Sequence, residues 1–102
     1  MLIINIRGRI DSLSARDAHD RILSIVRDDD MRVLLNLEKL AYLTSAGLRV
    51  ILQTAKLLDE KRGELKVCKA TGLVKDALDL VGAHSLIKMY DTEYDACSAF
   101  GA

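Results

Sequence analysis

A short cluster of small and hydroxylated residues, Thr44-Ser45-Ala46-Gly47, stands between an apolar segment ending at Leu43 and a helix-patterned segment starting at Leu48. A serine or threonine at such a place accepts hydrogen bonds from the free N–H groups of the first helical turn. The partial positive charge of a helix N-terminus also favours an anion there, so a phosphate on Ser45 or Thr44 would find donors nearby. These residues therefore leave two roles open, a structural cap, which is the commoner one, and a phosphorylated switch.

The sequence offers few groups for catalysis. It contains no P-loop, no dinucleotide-binding glycine pattern, no G-x-S-x-G elbow and no H-E-x-x-H motif. Neither His19 nor His84 is expected at a strand end that would aim it at Ser45, so a Ser-His-Asp arrangement is not favoured. The run Asp28-Asp29-Asp30 is interpreted as a solvated loop rather than a cation site. We therefore expect no catalytic residue, no metal and no cofactor.

Composition narrows the function classes further. The 102 residues are expected to form one domain over 1–102, and 15 basic residues balance 15 acidic ones. This neutral balance argues against binding to nucleic acid. Cys68 and Cys97 are interpreted as reduced thiols, because their spacing fits neither a metal site nor a redox pair. No leader and no membrane-spanning run is recognised, which predicts a cytoplasmic protein that does not insert into a membrane.

Strand and helix patterns alternate along the chain. A β-branched run predicts a strand over 2–7, closed by Gly8, and Ser14 with Asp17 has the capping-box pattern of a helix start. A continuous apolar run over 32–37 predicts a strand buried on both faces, with 38–43 as its connection to the hydroxyl cluster. The later predicted elements are a helix over 45–62, a strand over 64–69, a short helix after Thr71, a strand over 86–90 and a last helix from Asp91 or Thr92. This alternation predicts an α/β domain with helices packed on a central sheet.

The helix over 45–62 has an unusual outer face. Its core stripe is predicted as Leu48, Ile51, Leu52, Ala55 and Leu58. Off that stripe lie Arg49, Val50, Gln53 and Leu57. Because two of these four residues are apolar, the outer face that begins at Ser45 is predicted to contact a partner.

The chain resembles the STAS domains and, among them, the anti-sigma factor antagonists. Four segments carry the resemblance in the family's order. They are Gly8-Arg9-Ile10-Asp11; the strand 33–37 followed by Tyr42-Leu43-Thr44-Ser45-Ala46-Gly47-Leu48; Gly63-Glu64-Leu65-Lys66-Val67; and Leu78-Asp79-Leu80-Val81-Gly82 with Leu86-Ile87 and Tyr90-Asp91-Thr92. The resemblance implies a STAS-like domain with a mixed, mostly parallel sheet of about four strands and about four helices.

The resemblance also implies a function. In that family the unphosphorylated domain binds a GHKL-type serine kinase that doubles as an anti-sigma factor, the kinase phosphorylates the turn serine, and a PP2C-type phosphatase removes the phosphate. Ser45 matches that serine. The partner-binding residues that the resemblance and the outer face together imply are Asp11, Thr44, Ser45, Ala46, Gly47, Arg49, Val50 and Gln53.

Thr44 departs from the family pattern, in which an aspartate precedes the serine. The departure removes a negative charge beside the phosphorylation site and makes Thr44 a rival site. It also keeps a second function open, a STAS binding or scaffold subunit of a transporter-associated or stress-sensing complex, in which Ser45 only caps the helix. Asp11 matches a family position near the switch surface, and a plain turn role leading to Ser12 is equally open for it.

Overall fold

The computed structural model describes residues 1–27, 29 and 32–101, with only the backbone of His84. The described elements are β1 (Leu2–Ile10), α1 (Ala15–Ile25), β2 (Arg32–Leu43), α2 (Ser45–Glu60), β3 (Glu64–Cys68), α3 (Gly72–Leu80), a 3-10 turn (Ala83–Ser85), β4 (Lys88–Tyr90) and α4 (Glu93–Ala99). The predicted alternation of strands and helices is confirmed. Asp28 and Asp30 lie outside the described residues, and so does the interpretation of the acidic run that depends on them.

The strands form one sheet in the order β1-β2-β3-β4, and each of the three described strand pairs is parallel. The expected α/β fold with a mostly parallel sheet is confirmed, and the described part of the sheet is parallel throughout. Neighbouring parallel strands need a crossover connection, and such crossovers are right-handed. Because successive strands are added in one direction, α1, α2 and α3 lie on the same face of the sheet.

β2 is longer than the sequence indicated. The segment 38–43, expected to be a connection, continues the strand and pairs with β1 alone, up to the register pair Ile10 and Leu43. The register shifts between Asn5 and Arg7, and the Asn36 side chain accepts a hydrogen bond from the Glu38 N–H at 2.9 Å beside that irregularity. The extension carries β2 to the start of α2, so the ends of β1 and β2 lie side by side.

Two apolar clusters hold the layers together. The larger lies between the sheet and the helices α1 to α3, and it includes Val33, Leu35, Leu37, Ile51, Leu58 and Leu78. The smaller lies under α4 and consists of Leu34, Cys68, Ala96 and Phe100. Over residues 33–37 of β2, odd and even residues thus face opposite helical layers, as expected for a strand buried on both faces.

Candidate functional site

Thr44, not Ser45, caps α2. Its backbone is extended, and its Oγ1 accepts a hydrogen bond from the Gly47 N–H at 3.4 Å. The same hydroxyl donates to the Ile10 carbonyl oxygen at 3.2 Å, and the Thr44 N–H donates to that oxygen at 3.0 Å. Thr44 therefore fixes the start of α2 and ties it to the end of β1.

Ser45 is the first residue of α2, and its side chain is exposed. Among the described residues nothing forms a hydrogen bond with its hydroxyl. It stands at the positive end of a 16-residue helix, where the N–H groups of the first turn have no partner within the helix. The predicted hydroxyl cluster is thus divided into a structural residue, Thr44, and an accessible one, Ser45.

Gly47 is buried, and its surroundings leave no room for a side chain. A Cβ atom added there would lie 2.7 Å from Ile10 Cγ2 and 2.7 Å from Leu43 Cδ1. Its role is to let the first turn of α2 approach the paired ends of β1 and β2. Contact with a partner through a side chain is not available to this residue.

Asp11 organises the turn between β1 and α1. Its Oδ1 accepts hydrogen bonds from the N–H groups of Leu13 at 3.0 Å and Ser14 at 3.1 Å. These bonds, that of Ser14 foremost and then that of Leu13, hold the pKa of the Asp11 carboxyl below its usual value. The predicted capping box of Ser14 and Asp17 is wrong, because the Ser14 side chain makes no cap bond to α1. Its Oγ instead accepts a hydrogen bond from the Asp11 N–H at 3.1 Å.

The two turns lie next to each other. Ile10 and Leu43 are register partners at the ends of β1 and β2, and Asp11 and Thr44 are the residues that directly follow them. The carboxyl ends of neighbouring parallel strands are a common location for binding surfaces in α/β proteins. The sequence-predicted residues Asp11, Thr44 and Ser45 therefore share one end of the sheet.

The outer face of α2 differs from the prediction at one residue. Arg49 and Gln53 are exposed on the turns that follow Ser45, and Ala46 is half-buried. Val50, expected on that outer face, is only 4% exposed and belongs to the large core cluster. The prediction for Val50 is wrong because α2 packs against α1 as well as against the sheet, which widens its buried stripe.

Three further exposed residues near this end of the sheet were not predicted as site residues. The Arg9 guanidinium lies 5.2 Å from the centroid of the Tyr42 ring, and Tyr42 is 40% exposed. Leu13, in the turn that Asp11 organises, is 93% exposed. The sequence signal that could have identified Leu13 is its position between two serines, because an apolar side chain in a polar turn is expected to be exposed.

The described residues show no catalytic arrangement around Ser45. His19 lies half-buried on α1, and no hydrogen bond joins it to Ser45 in the part of the chain that the structure describes. The side chain of His84 falls outside that part. Within the same limits, no group of three His, Cys, Asp or Glu residues could hold a metal ion.

Over the described ranges, none of the helices combines the length and the apolar character needed to cross a bilayer.

Comparison with known proteins gives concordant matches. The family model for the STAS domain matches residues 1–96. BtrV of Bordetella bronchiseptica, a protein assigned as an anti-sigma factor antagonist, is 33% identical over 100 residues, which are 98% of this chain and 86% of BtrV. An anti-sigma F factor antagonist of Paenibacillus polymyxa is 33% identical over 99 residues, covering 94% of this chain and 83% of that protein.

Solved structures agree with these matches. The crystal structure of an anti-sigma factor antagonist from Mycobacterium paratuberculosis has a TM-score of 0.84 at 25% identity, over 96% of this chain and 84% of that one. SpoIIAA, a Bacillus cell fate determinant, solved in its phosphorylated form, has a TM-score of 0.72 at 18% identity, over 96% and 88% of the two chains. The second likeness concerns the fold alone. The family match over nearly the whole chain and the two relatives at 33% identity establish that this chain belongs to the STAS domain family and groups with its anti-sigma factor antagonists.

Proposed function

We propose that this protein is an anti-sigma factor antagonist that works by partner switching. Its unphosphorylated form binds an anti-sigma factor that is also a GHKL-type serine kinase. Phosphorylation of Ser45 by that kinase breaks the complex, and a PP2C-type phosphatase restores the binding form. The observation that carries the proposal is the division of roles between Thr44, whose hydroxyl is used within the fold, and Ser45, whose hydroxyl is exposed and free among the described residues.

Thr44 is the poorer phosphorylation site of the two. Its hydroxyl donates to the Ile10 carbonyl oxygen at 3.2 Å and accepts from the Gly47 N–H at 3.4 Å. A phosphate on Thr44 would remove the donor that ties α2 to β1. A phosphate on Ser45 breaks no hydrogen bond of the described structure, which supports Ser45 as the modified residue.

The electrostatics of Ser45 suit a switch. A phosphate adds about −1.5 to −2 charges and strong acceptor oxygens. The free N–H groups at the start of α2 can receive these oxygens, so the fold tolerates the modification. SpoIIAA, which has the same fold, has been solved in both unphosphorylated and phosphorylated forms, and this supports such tolerance.

The partner surface responds differently to the phosphate. In the proposed complex, the exposed residues Ser45, Arg49 and Gln53 lie under the partner together with the Asp11 turn. Burying the phosphate there without a matching cation costs about 3 kcal/mol, which weakens binding more than about a hundredfold. The phosphate is therefore expected to change the stability of the fold little and to weaken binding of the partner strongly.

Site-resolved phosphorylation tests the proposal. The wild-type chain, Ser45→Ala and Thr44→Ser are each incubated with the kinase partner and ATP, and the phosphate is located by tandem mass spectrometry. We expect phosphate on Ser45 in the wild type and in Thr44→Ser, and none in Ser45→Ala. Normal incorporation into Ser45→Ala would show that Ser45 is not the site. Stable binding of a transport ATPase in place of a kinase would support the scaffold function.

A further inference from the structure

A groove of about 430 Å³ lies beside β1, between that strand and α1. Its lining includes the four consecutive β1 residues 4–7. Successive side chains of a strand point to opposite faces of the sheet, so a groove that touches four residues in a row reaches the edge of the strand. β1 is the outermost strand, and no strand pairs with its far edge in the described part of the chain. Backbone N–H and C=O groups therefore face the groove unpaired.

One side of the groove is apolar. Ile6 is half-buried there, and Ile22 and Ile25 of α1 also line it. Ile25 is 44% exposed although it lies on the helix side of the sheet. Apolar side chains of an added strand that point toward α1 would cover these residues. The alternation of strand side chains puts every second residue of such a segment on this side.

The lining of the groove is also positively charged. Three arginines, Arg7, Arg9 and Arg21, line it against a single carboxylate, that of Asp17. No ion pair engages any of the three arginines within the described ranges. Arg7 and Arg9 project from the sheet face opposite α1, because they alternate with the half-buried Ile6 and the buried Ile10. Acidic side chains of an added strand would meet them there.

We propose that the free edge of β1 binds an extended segment of a partner protein as a fifth strand, and that this segment alternates apolar and acidic residues. Main-chain hydrogen bonds supply the affinity in this mode, and the alternate side chains supply the specificity. A second copy of this chain fits the groove poorly, because its own β1 would bring Arg7 and Arg9 against the same residues. This surface is distinct from Ser45, which lies at the start of α2.

The test uses a labelled peptide as long as β1, nine residues, alternating valine and glutamate, with binding followed by fluorescence anisotropy. A peptide of the same composition with its valines and glutamates in separate blocks is the control for alternation, and a valine-lysine peptide is the control for charge. Amide hydrogen exchange of the protein is measured by NMR with and without the peptide. We expect alternate β1 amides to become protected by the alternating peptide only.

Charge-reversal variants test whether the arginines of the groove bind the acidic side chains of the peptide. Arg7→Glu and Arg9→Glu together should weaken binding about tenfold or more, whereas Arg16→Glu, an exposed arginine of α1 outside the groove lining, should leave it unchanged. Unchanged exchange of the β1 amides on peptide binding would overturn the proposal, and so would equal binding by the block peptide. A free protein that sediments as a dimer with β1 amides already protected would identify a second copy as the occupant and would also overturn it.

Discussion

The backbone N–H and the side-chain hydroxyl of Thr44 both donate to the carbonyl oxygen of Ile10, at 3.0 and 3.2 Å. These two bonds join the residue that ends β1 to the residue that starts α2. Asp11 follows Ile10, and Ser45 follows Thr44, so the same pair of bonds sets the spatial relation of the two turns. The surface proposed to meet the partner depends on this junction.

Removing the Thr44 hydroxyl should destabilise the fold. Thr44→Val keeps the shape of the side chain but loses the cap acceptor and the donor to Ile10, with an expected cost of about 1–2 kcal/mol in the free energy of unfolding. Thr44→Ser keeps both functions and should stay close to wild type. Denaturant unfolding followed by circular dichroism measures both variants. Equal stability of Thr44→Val and Thr44→Ser would contradict the assigned role of the hydroxyl.

Gly47→Ala tests the close approach of α2 to the strand ends. The added Cβ meets Ile10 Cγ2 and Leu43 Cδ1, both at 2.7 Å, so neighbouring groups must shift. We expect a loss of about 1–3 kcal/mol of stability despite the better helix propensity of alanine. Ser45→Ala, an exposed change in the same turn, is the matched control and should alter the melting temperature little. A Gly47→Ala variant more stable than the wild type would show that the close approach of α2 to Ile10 and Leu43 does not require glycine.

Arg49 and Val50 are neighbours in sequence with opposite expected effects. Val50→Ala removes buried methyl groups and should cost about 1–3 kcal/mol of stability without removing a partner contact. Arg49→Ala removes an exposed side chain and should leave stability nearly unchanged while weakening binding to the kinase partner. Thermal unfolding and isothermal titration calorimetry are measured for both variants. If a fully folded Val50→Ala variant bound the kinase partner more weakly, Val50 would contribute to the interface after all.

Asp11 should make stability depend on pH in the acid range. Its pKa is lowered in the folded protein, so its contribution is present above the ordinary value of 3.8 and is lost as pH falls through the folded pKa. Between about pH 5 and pH 2, the melting temperature of the wild type should therefore fall more steeply than that of Asp11→Asn, which does not titrate. Since other carboxyl groups titrate in the same range, the difference between the two proteins is the measurement. Parallel curves would contradict the hydrogen-bond account of this turn.

The order of strands and helices could be predicted from the sequence, and the structure places the predicted residues Asp11, Thr44 and Ser45 at one end of the sheet. Apolar periodicity and the cap signal before Leu48 predicted the helix that became α2. The resemblance then singled out Ser45. These features are local, and local patterns carry over well from sequence to structure.

The failures came from contacts between distant parts of the chain. Val50 is buried because α1 packs beside α2, and no pattern within α2 alone contains that neighbour. The extension of β2 to Leu43 depends on pairing with β1. Asp11 is the exception, because its bonds to the N–H groups of Leu13 and Ser14 are local. The division of roles between Thr44 and Ser45 likewise depends on Ile10, more than thirty residues earlier in the chain.

The central claim is that phosphate on Ser45 breaks the complex while leaving the fold intact. Its most direct test is the dissociation constant of the kinase partner for unphosphorylated protein and for protein carrying phosphoserine at position 45, measured by isothermal titration calorimetry on samples of matched melting temperature. We predict that phosphorylation raises the dissociation constant more than about a hundredfold. Equally tight binding by the folded, phosphorylated protein would contradict the account.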